Sequence, residues 1–417
     1  MHSTRRLLDR RSSAALAISS VVTMAAVASC SSSGGAAPHD GGAFEAGADV
    51  DAGASPEDAS PPPDAATPFD GSVRPVVCAS ASCATSLEAT FNETFCALLQ
   101  DGTVACWGAN DSGELGRGED DRTSSATAAR VVGLTDIVRI RGTCGVDKSG
   151  AAYRWDRGTP VKQGLPPVTD AMFFGGVGCA VADGGILCWG LNVRGQVSPV
   201  SPNDDSDAGR PIELPSGAPI RELRVGWATF VLREDGTLVT WGANPPLGRA
   251  SSFNPDPYPA PSVLSGVSAM DVVAGNACAV AGGVGYCWGD FFDGSRAAPK
   301  LLPEPVATPE PIVQIATTQA IIGRPQRWCA VGVSGAVYCW GYNEGGQAGD
   351  GTKNNAFVAV KVVGLPDPAV EVKTTREATC ALLATGKIYC WGTNLKGQLG
   401  NGKMSVPSVV PEEVVLP

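Results

Sequence analysis

One phrase returns seven times along this chain, and it constrains the fold more than any other feature. Cys96 to Gly108 reads CALLQDGTVACWG, Cys179 to Gly190 reads CAVADGGILCWG, and Cys278 to Gly289 reads CAVAGGVGYCWG. Cys329 to Gly341 (CAVGVSGAVYCWG) and Cys380 to Gly392 (CALLATGKIYCWG) repeat it, and degenerate copies start at Cys144 (CGVDKSGAAYRWD) and Phe230 (FVLREDGTLVTWG). The repeated tryptophans are Trp107, Trp155, Trp189, Trp241, Trp288, Trp340 and Trp391, mostly about fifty residues apart, the period of a four-strand propeller blade. Each phrase sets two apolar runs around a Gly-containing turn, which reads as a β-hairpin. The fold class is therefore all-β, a seven-bladed β-propeller.

Cysteine spacing supplies the register. In the copies from Cys96, Cys329 and Cys380 the second cysteine lies ten residues on, and the midpoint is a three-residue turn ending in Gly102, Gly335 or Gly386. In the copies from Cys179 and Cys278 the spacing is nine, and the midpoint is Asp183-Gly184 or Gly282-Gly283, as a two-residue mirror-image turn requires. Turn length and spacing change together, so the two cysteines always face each other within disulfide reach. Five cross-strand disulfides are expected: Cys96 with Cys106, Cys179 with Cys188, Cys278 with Cys287, Cys329 with Cys339, and Cys380 with Cys390. Free cysteines also serve as small core hydrophobes, but an export signal ahead of the repeats favours the oxidised form. In the degenerate copies Arg154 faces Cys144, and Phe230 faces Thr240. For Cys78, Cys83 and Cys144 two arrangements stay open: the close pair bonds to itself, or one of the two reaches Cys144.

The N-terminus reads as a targeting segment. Arg5, Arg6, Arg10 and Arg11 precede an apolar stretch from Ala14 to Ala28 that ends in small residues before Cys30. That order predicts a bacterial lipoprotein signal peptide over residues 1–29, with Cys30 as the lipid acceptor. Thr4-Arg5-Arg6 also partly resembles a twin-arginine signal, ranked second. Residues 30–72 are almost wholly Ala, Gly, Ser, Pro and acid, too poor in large apolar groups to offset the entropy of ordering, and read as a flexible tether. Much of the net charge of −11 sits in that tether. Residues 73–417 form the propeller. The expected location is the cell envelope, with membrane contact through the lipid only and the outer membrane favoured because Ser31, not Asp, follows Cys30.

After each tryptophan the phrase continues in a recognisable way. Trp391-Gly392-Thr393-Asn394 with Gly397-Gln398-Leu399-Gly400 resembles the repeat of the regulator of chromosome condensation family, as do Trp107-Gly108, Asn110, Gly113, Leu115 and Gly116. Trp340-Gly341, Asn343, Gly346 and Gln347 give a third match. The resemblance runs from about Leu87 to the end. It implies a seven-bladed ring in which a strand near the start completes a blade begun by the last residues, here Ser86 to Phe91 against Val409 to Leu416. The Asn and Gly residues after each tryptophan read as turn formers that tolerate left-handed backbone. Two blades depart: Trp155-Asp156 lacks the Gly-x-Asn run, and Trp288-Gly289-Asp290 continues into Phe291-Phe292-Asp293-Gly294.

Catalytic residues are not expected. The two histidines, His2 and His39, lie ahead of the repeats, which leaves the fold without an imidazole for a triad or a metal centre. The acidic pairs Glu234-Asp235 and Asp204-Asp205 fall in turns or loops, where solvated acids are the rule, and Asp204-Asp205-Ser206-Asp207 lacks the spacing of a calcium loop. No metal and no cofactor is predicted. The repeat tryptophans read as core. Trp227, Tyr258, Phe291, Phe292 and Trp328 stand outside the repeat position and are the candidate partner-binding residues, since aromatics anchor interfaces. The acidic balance argues against nucleic acid. The reading is a monomeric, non-enzymatic binding propeller with a protein partner, enzyme inhibition being one form. Glycan binding is the alternative, and guanine nucleotide exchange, as in the family's nuclear members, is a third class that needs a cytosolic partner.

Overall fold

The structure is a computed structural model describing residues 71–417 except 81, 201–205, 294, 295 and 320, with the backbone alone for residues 206–208, 292, 293, 296 and 297. The signal peptide, Cys30 and nearly all of the tether lie outside the described residues. Seven four-stranded antiparallel sheets follow one another, each a meander whose strands pair in chain order. Their first strands are Ala84–Ala89, Ile137–Arg141, Asp170–Phe174, Ile220–Val225, Val267–Val273, Ile312–Thr317 and Ala369–Thr374. We call the sheets blades 1 to 7. Each first strand touches the first strand of the next blade, and that of blade 7 touches that of blade 1, which makes the ring and puts these strands around its axis.

The hairpin register follows the cysteines. Cys96 faces Cys106, Cys179 faces Cys188, Cys278 faces Cys287, Cys329 faces Cys339 and Cys380 faces Cys390. All five pairs are disulfides with Cα atoms 4.1 Å apart. Phe230 faces Thr240 in blade 4, and Cys144 faces Arg154 in blade 2. The open choice at the remaining cysteines resolves into a Cys78–Cys83 disulfide, with Cys144 a buried free thiol.

Ring closure differs from the expectation of a shared blade. Ala84–Ala89 pairs with Thr94–Leu99 of its own blade, and Ser408–Glu413 pairs with Ile388–Gly392 of blade 7. The physical reason is that the first phrase has its own inner strand before it and the last has its own outer strand behind it, so both terminal blades are complete. The ends instead join side by side. Ala84 N donates to Gly386 O at 2.9 Å and Val77 N to Ala384 O at 2.7 Å. Leu87, Phe95 and Trp107 of blade 1 share one buried cluster with Val370, Leu382 and Val414 of blade 7. Apolar burial across this seam couples the two ends as a shared blade would.

The repeat tryptophan is what locks blade to blade. Trp107, Trp241, Trp288 and Trp391 donate Nε1–H to a backbone carbonyl of the preceding blade's loop, Gln398, Gln196, Pro246 and Gln347 respectively, at 2.8–3.0 Å. The residue after each carbonyl, Leu399, Val197, Leu247 or Ala348, is buried in the same cluster as the indole. In blade 2, Trp155 lies against Gly116 and Leu115 of blade 1 in the same way, its Nε1 without an acceptor among the described residues. The loop itself is braced by its asparagine. Asn110, Asn192, Asn343 and Asn394 are fully buried, and each Oδ1 accepts from the backbone N–H five residues on, at 2.7–3.1 Å. Their φ angles are not positive; the positive φ values fall on Gly113, Gly346 and Gly397. The asparagines thus act through side-chain hydrogen bonds, and only the glycines fit the left-handed reading.

Candidate functional site

In a meander, the connections between strands one and two and between strands three and four open on one face of the ring. Among the concavities on this face are a peripheral socket and a central funnel. The peripheral one arises where blade 5 departs from the repeat. By the pattern of the other blades, Trp340 of blade 6 needs a Gly-x-Leu-Gly loop from blade 5. The sequence there is Asp290-Phe291-Phe292-Asp293 instead, and Trp340 Nε1 has no loop carbonyl to meet among the described residues. What remains is a mostly apolar socket of about 410 Å³ lined by Phe291, Lys300, Pro325, Trp328, Trp340 and Phe357, among others. Trp328 and Trp340 rings stack 6.0 Å apart and the Phe291 ring lies tilted 5.7 Å from that of Trp328, so the three form a contiguous aromatic cluster. Phe357 at its rim is 84% exposed.

The central concavity is a funnel of about 520 Å³ over the axial ends of blades 1 to 4. Its wall carries Phe91, Phe173, Phe174 and Trp227 together with Arg154, Arg157 and Arg194. Phe91 and Phe174 meet edge to face at 5.7 Å, and the Arg194 guanidinium sits 5.2 Å from the Trp227 ring centroid. Burial holds the Arg194 pKa below its ordinary value, with no carboxylate acting on it. Arg154 is neutralised by Asp156 through two contacts of 2.5 Å.

Beneath the funnel the axis is filled by charge. Glu88 accepts from Arg224 at 3.0 Å and from Arg141 at 3.2 Å, with Lys373 at 3.7 Å. Asp170, Glu222, Asp271 and Glu371 complete a network of inward side chains from the first strands. Several also serve the neighbouring blade's backbone: Glu371 accepts from Leu87 N, Asp170 from Leu223 N and Asp271 from Thr317 N, at 2.9–3.2 Å. These bonds satisfy inner-strand amides that would otherwise face the axis unpaired. Crossed by ion pairs, the axis is a strut. Among the described residues no group of His, Cys, Asp and Glu is arranged to hold a metal.

The candidate partner residues divide between three places. Phe291 and Trp328 come together in the socket, although Phe291 is 6% exposed and Trp328 half-buried, so they floor the site more than they project from it. Trp227 belongs to the funnel. Tyr258, 55% exposed, pairs among the described aromatic rings with Phe253 at 6.1 Å and lines neither concavity. The Phe292 side chain lies outside the described residues. Sequence reasoning missed Trp340 because it occupies the repeat position. The missing loop of blade 5 was the signal that no loop carbonyl meets its indole among the described residues.

The repeat profile of the regulator of chromosome condensation (RCC1) matches residues 370–398, the heart of blade 7. Blade 7 thus matches the RCC1 repeat, and the other six blades carry related phrases in a ring of the same architecture. Ultraviolet-B receptor UVR8 of Arabidopsis thaliana is 25% identical over 335 residues, covering 73% of this chain and 64% of that protein. E3 ubiquitin-protein ligase HERC2 of Homo sapiens is 25% identical over 345 residues, 72% of this chain but 7% of that protein, so the chain spans less than two thirds of either relative. Among solved structures, human WBSCR16 superposes with a TM-score of 0.60 at 16% identity, covering 76% of this chain and 95% of that one. Yeast RCC1 (Prp20), solved bound to Kap60, gives 0.52 at 18% identity, covering 80% and 75%. At these identities the structures speak for the RCC1 propeller fold alone.

Proposed function

We propose that this RCC1-repeat propeller is a non-enzymatic binding protein of the cell envelope, lipid-anchored at Cys30, that recognises a protein partner through the socket beside Trp340. One observation carries the reading. In five sibling blades the same indole face is covered by a polypeptide loop that supplies a small or aliphatic side chain, and in four of them the loop also gives the indole a carbonyl. A surface whose siblings bind peptide backbone is chemically suited to peptide from another chain. Aromatic anchors in a preformed concavity are also what protein interfaces concentrate. The RCC1 propeller of yeast, seen with Kap60, is a fold relative that engages a protein. The N-terminal pattern of basic, apolar and small residues before Cys30 supports export and lipidation, with residues 30–72 as the tether and the outer membrane as the favoured site.

The test uses the full chain expressed with its own signal. A photo-crosslinking amino acid placed at Phe357 should give a discrete adduct in the envelope fraction, absent when it is placed at exposed Phe253, and Phe357→Asp should weaken partner retention at least about tenfold. Equal adducts from both positions would refute the socket. Intact mass of the envelope-purified protein should show diacylglycerol on Cys30, and an unprocessed N-terminus would remove the anchor from the proposal.

A further inference from the structure

The central funnel has a chemistry that the socket lacks. Its acidic groups are already engaged: Asp156 by Arg154, and Glu114 by Asn92 Nδ2 at 2.6 Å and Ser112 N at 2.9 Å. Two of its cations are not. Arg157 and Arg194 meet no carboxylate among the described residues, and Arg194 is half-buried over the Trp227 ring. At the blade 7 side, Arg376 stands 4.9 Å over Phe91, its Nε buried without a partner. In a chain of net charge −11, the funnel thus holds two guanidinium groups with no carboxylate of their own among the described residues, one of them, Arg194, over an aromatic ring. Arginine held there is suited to accept a carboxylate in a forked pair, and its stacking on the ring fixes the fork without further ordering cost. The volume of 520 Å³ lies in the range of about 300–1,000 Å³ typical of ligand sites.

We infer that the funnel is a second binding site on the same face, one that takes an acidic peptide segment carrying a flat apolar side chain. The carboxylate faces Arg157 and Arg194, and the apolar side chain lies against Phe174 and Trp227. This assignment does not depend on the Trp340 socket. A neutral sugar would leave both cations unanswered, whereas an acidic segment neutralises them in a partly desolvated mouth, where charge-assisted hydrogen bonds gain strength.

The probes are acetyl-Glu-Phe-Glu-amide, acetyl-Gln-Phe-Gln-amide and phenylacetate, each titrated calorimetrically into the full exported chain at low and at moderate salt. The acidic peptide is expected to bind at least about tenfold tighter than the neutral one, as loss of a charged hydrogen bond implies. That preference should shrink with added salt, because the cations are partly solvent-accessible. The double variant Arg157→Gln with Arg194→Gln should abolish the preference, while Phe357→Asp in the socket should leave it intact. Equal binding of the two peptides, a preference surviving in the double variant, or no heat from either peptide would overturn the assignment. Phenylacetate binding as tightly as the acidic peptide would make a free small carboxylate the ligand and overturn the peptide. Circular dichroism and the unfolding midpoint of the double variant separate loss of the site from loss of the fold.

Discussion

Trp107 Nε1 donates a 3.0 Å hydrogen bond to the carbonyl of Gln398, joining residues 291 positions apart. The bond is the ring's closing copy of a contact that Trp241, Trp288 and Trp391 make between sequential blades. Trp107→Phe keeps an aromatic ring in the seam but leaves the Gln398 carbonyl without its donor and opens space beside Leu399. A loss of about 2–3 kcal/mol in denaturant unfolding is expected from the unpaired carbonyl and the cavity together. Trp340→Phe is the control. Its indole meets no loop carbonyl and is 8% exposed, so it should cost less by about 1 kcal/mol or more. Equal losses would mean that the loop bond contributes nothing to blade packing.

The five hairpin disulfides each close a loop of nine or ten residues. Replacing Cys278 and Cys287 together by Ala should lower stability by about 2–3 kcal/mol on the chain-entropy account. Because ten of these sulfurs belong to residues no more than 3% exposed, reductant should leave the native protein oxidised and act only once denaturant opens it. Mass shifts after quenching with an alkylating agent, recorded along a denaturant series, check both statements. Thiols that appear before global unfolding would show that blades open singly.

The cysteine registers were legible because turn chemistry and spacing vary together, and a one-residue slip would part the sulfurs. The inner strands were not. Glu88, Arg141, Glu222 and Lys373 alternate with apolar residues in a way that resembles an ordinary solvated strand face, yet they point at the axis and are buried or nearly so. A sequence pattern of period two gives the alternation but not whether the polar face meets water or other blades. The closure was misread as a shared blade for a related reason: two complete terminal blades and one shared blade need the same number of phrases. The socket was half legible. Phe291 and Trp328 stood out as non-repeat aromatics, but Trp340 was masked by belonging to the repeat.

Glu88 gives the axial network a pH signature. Burial alone would raise its pKa, but Arg224, Lys373 and Arg141 outweigh burial and hold it at about 2, below the ordinary 4.5. A folded-state pKa below the unfolded one contributes stability that is fully present above about pH 4.5 and lost as pH falls towards 2. Glu222 is shifted the same way, whereas burial pushes Glu371 and Glu93 up, which opposes the trend. The comparison should therefore be made against Glu88→Gln. That variant leaves three buried cations short of a carboxylate and should lose about 3–5 kcal/mol at neutral pH. The gap between wild type and variant should narrow steadily from pH 4.5 towards pH 2 in urea unfolding; a gap independent of pH would show that Glu88 is neutral in the fold.

Cys144 occupies the position that in five other blades holds half of a disulfide, and it faces Arg154 instead. Arg154 turns away to pair with Asp156 and lies over the Phe173 ring, its guanidinium carbon 3.2 Å from the centroid, so it does not ionise the thiol. Burial, followed by the Asp156 charge, pushes the Cys144 pKa up to about 12, which leaves almost no thiolate at neutral pH. The thiolate is the reactive form, so Cys144 should resist iodoacetamide in the native protein. In denaturant without reductant, one thiol among residues 71–417 should be alkylated, and peptide mapping should place it at Cys144 with Cys78 and Cys83 still joined. Alkylation at Cys78 or Cys83 would reverse the pairing. Rapid native labelling of Cys144 would mean that blade 2, which carries no disulfide and only three residues in its third strand, opens well below the unfolding of the ring.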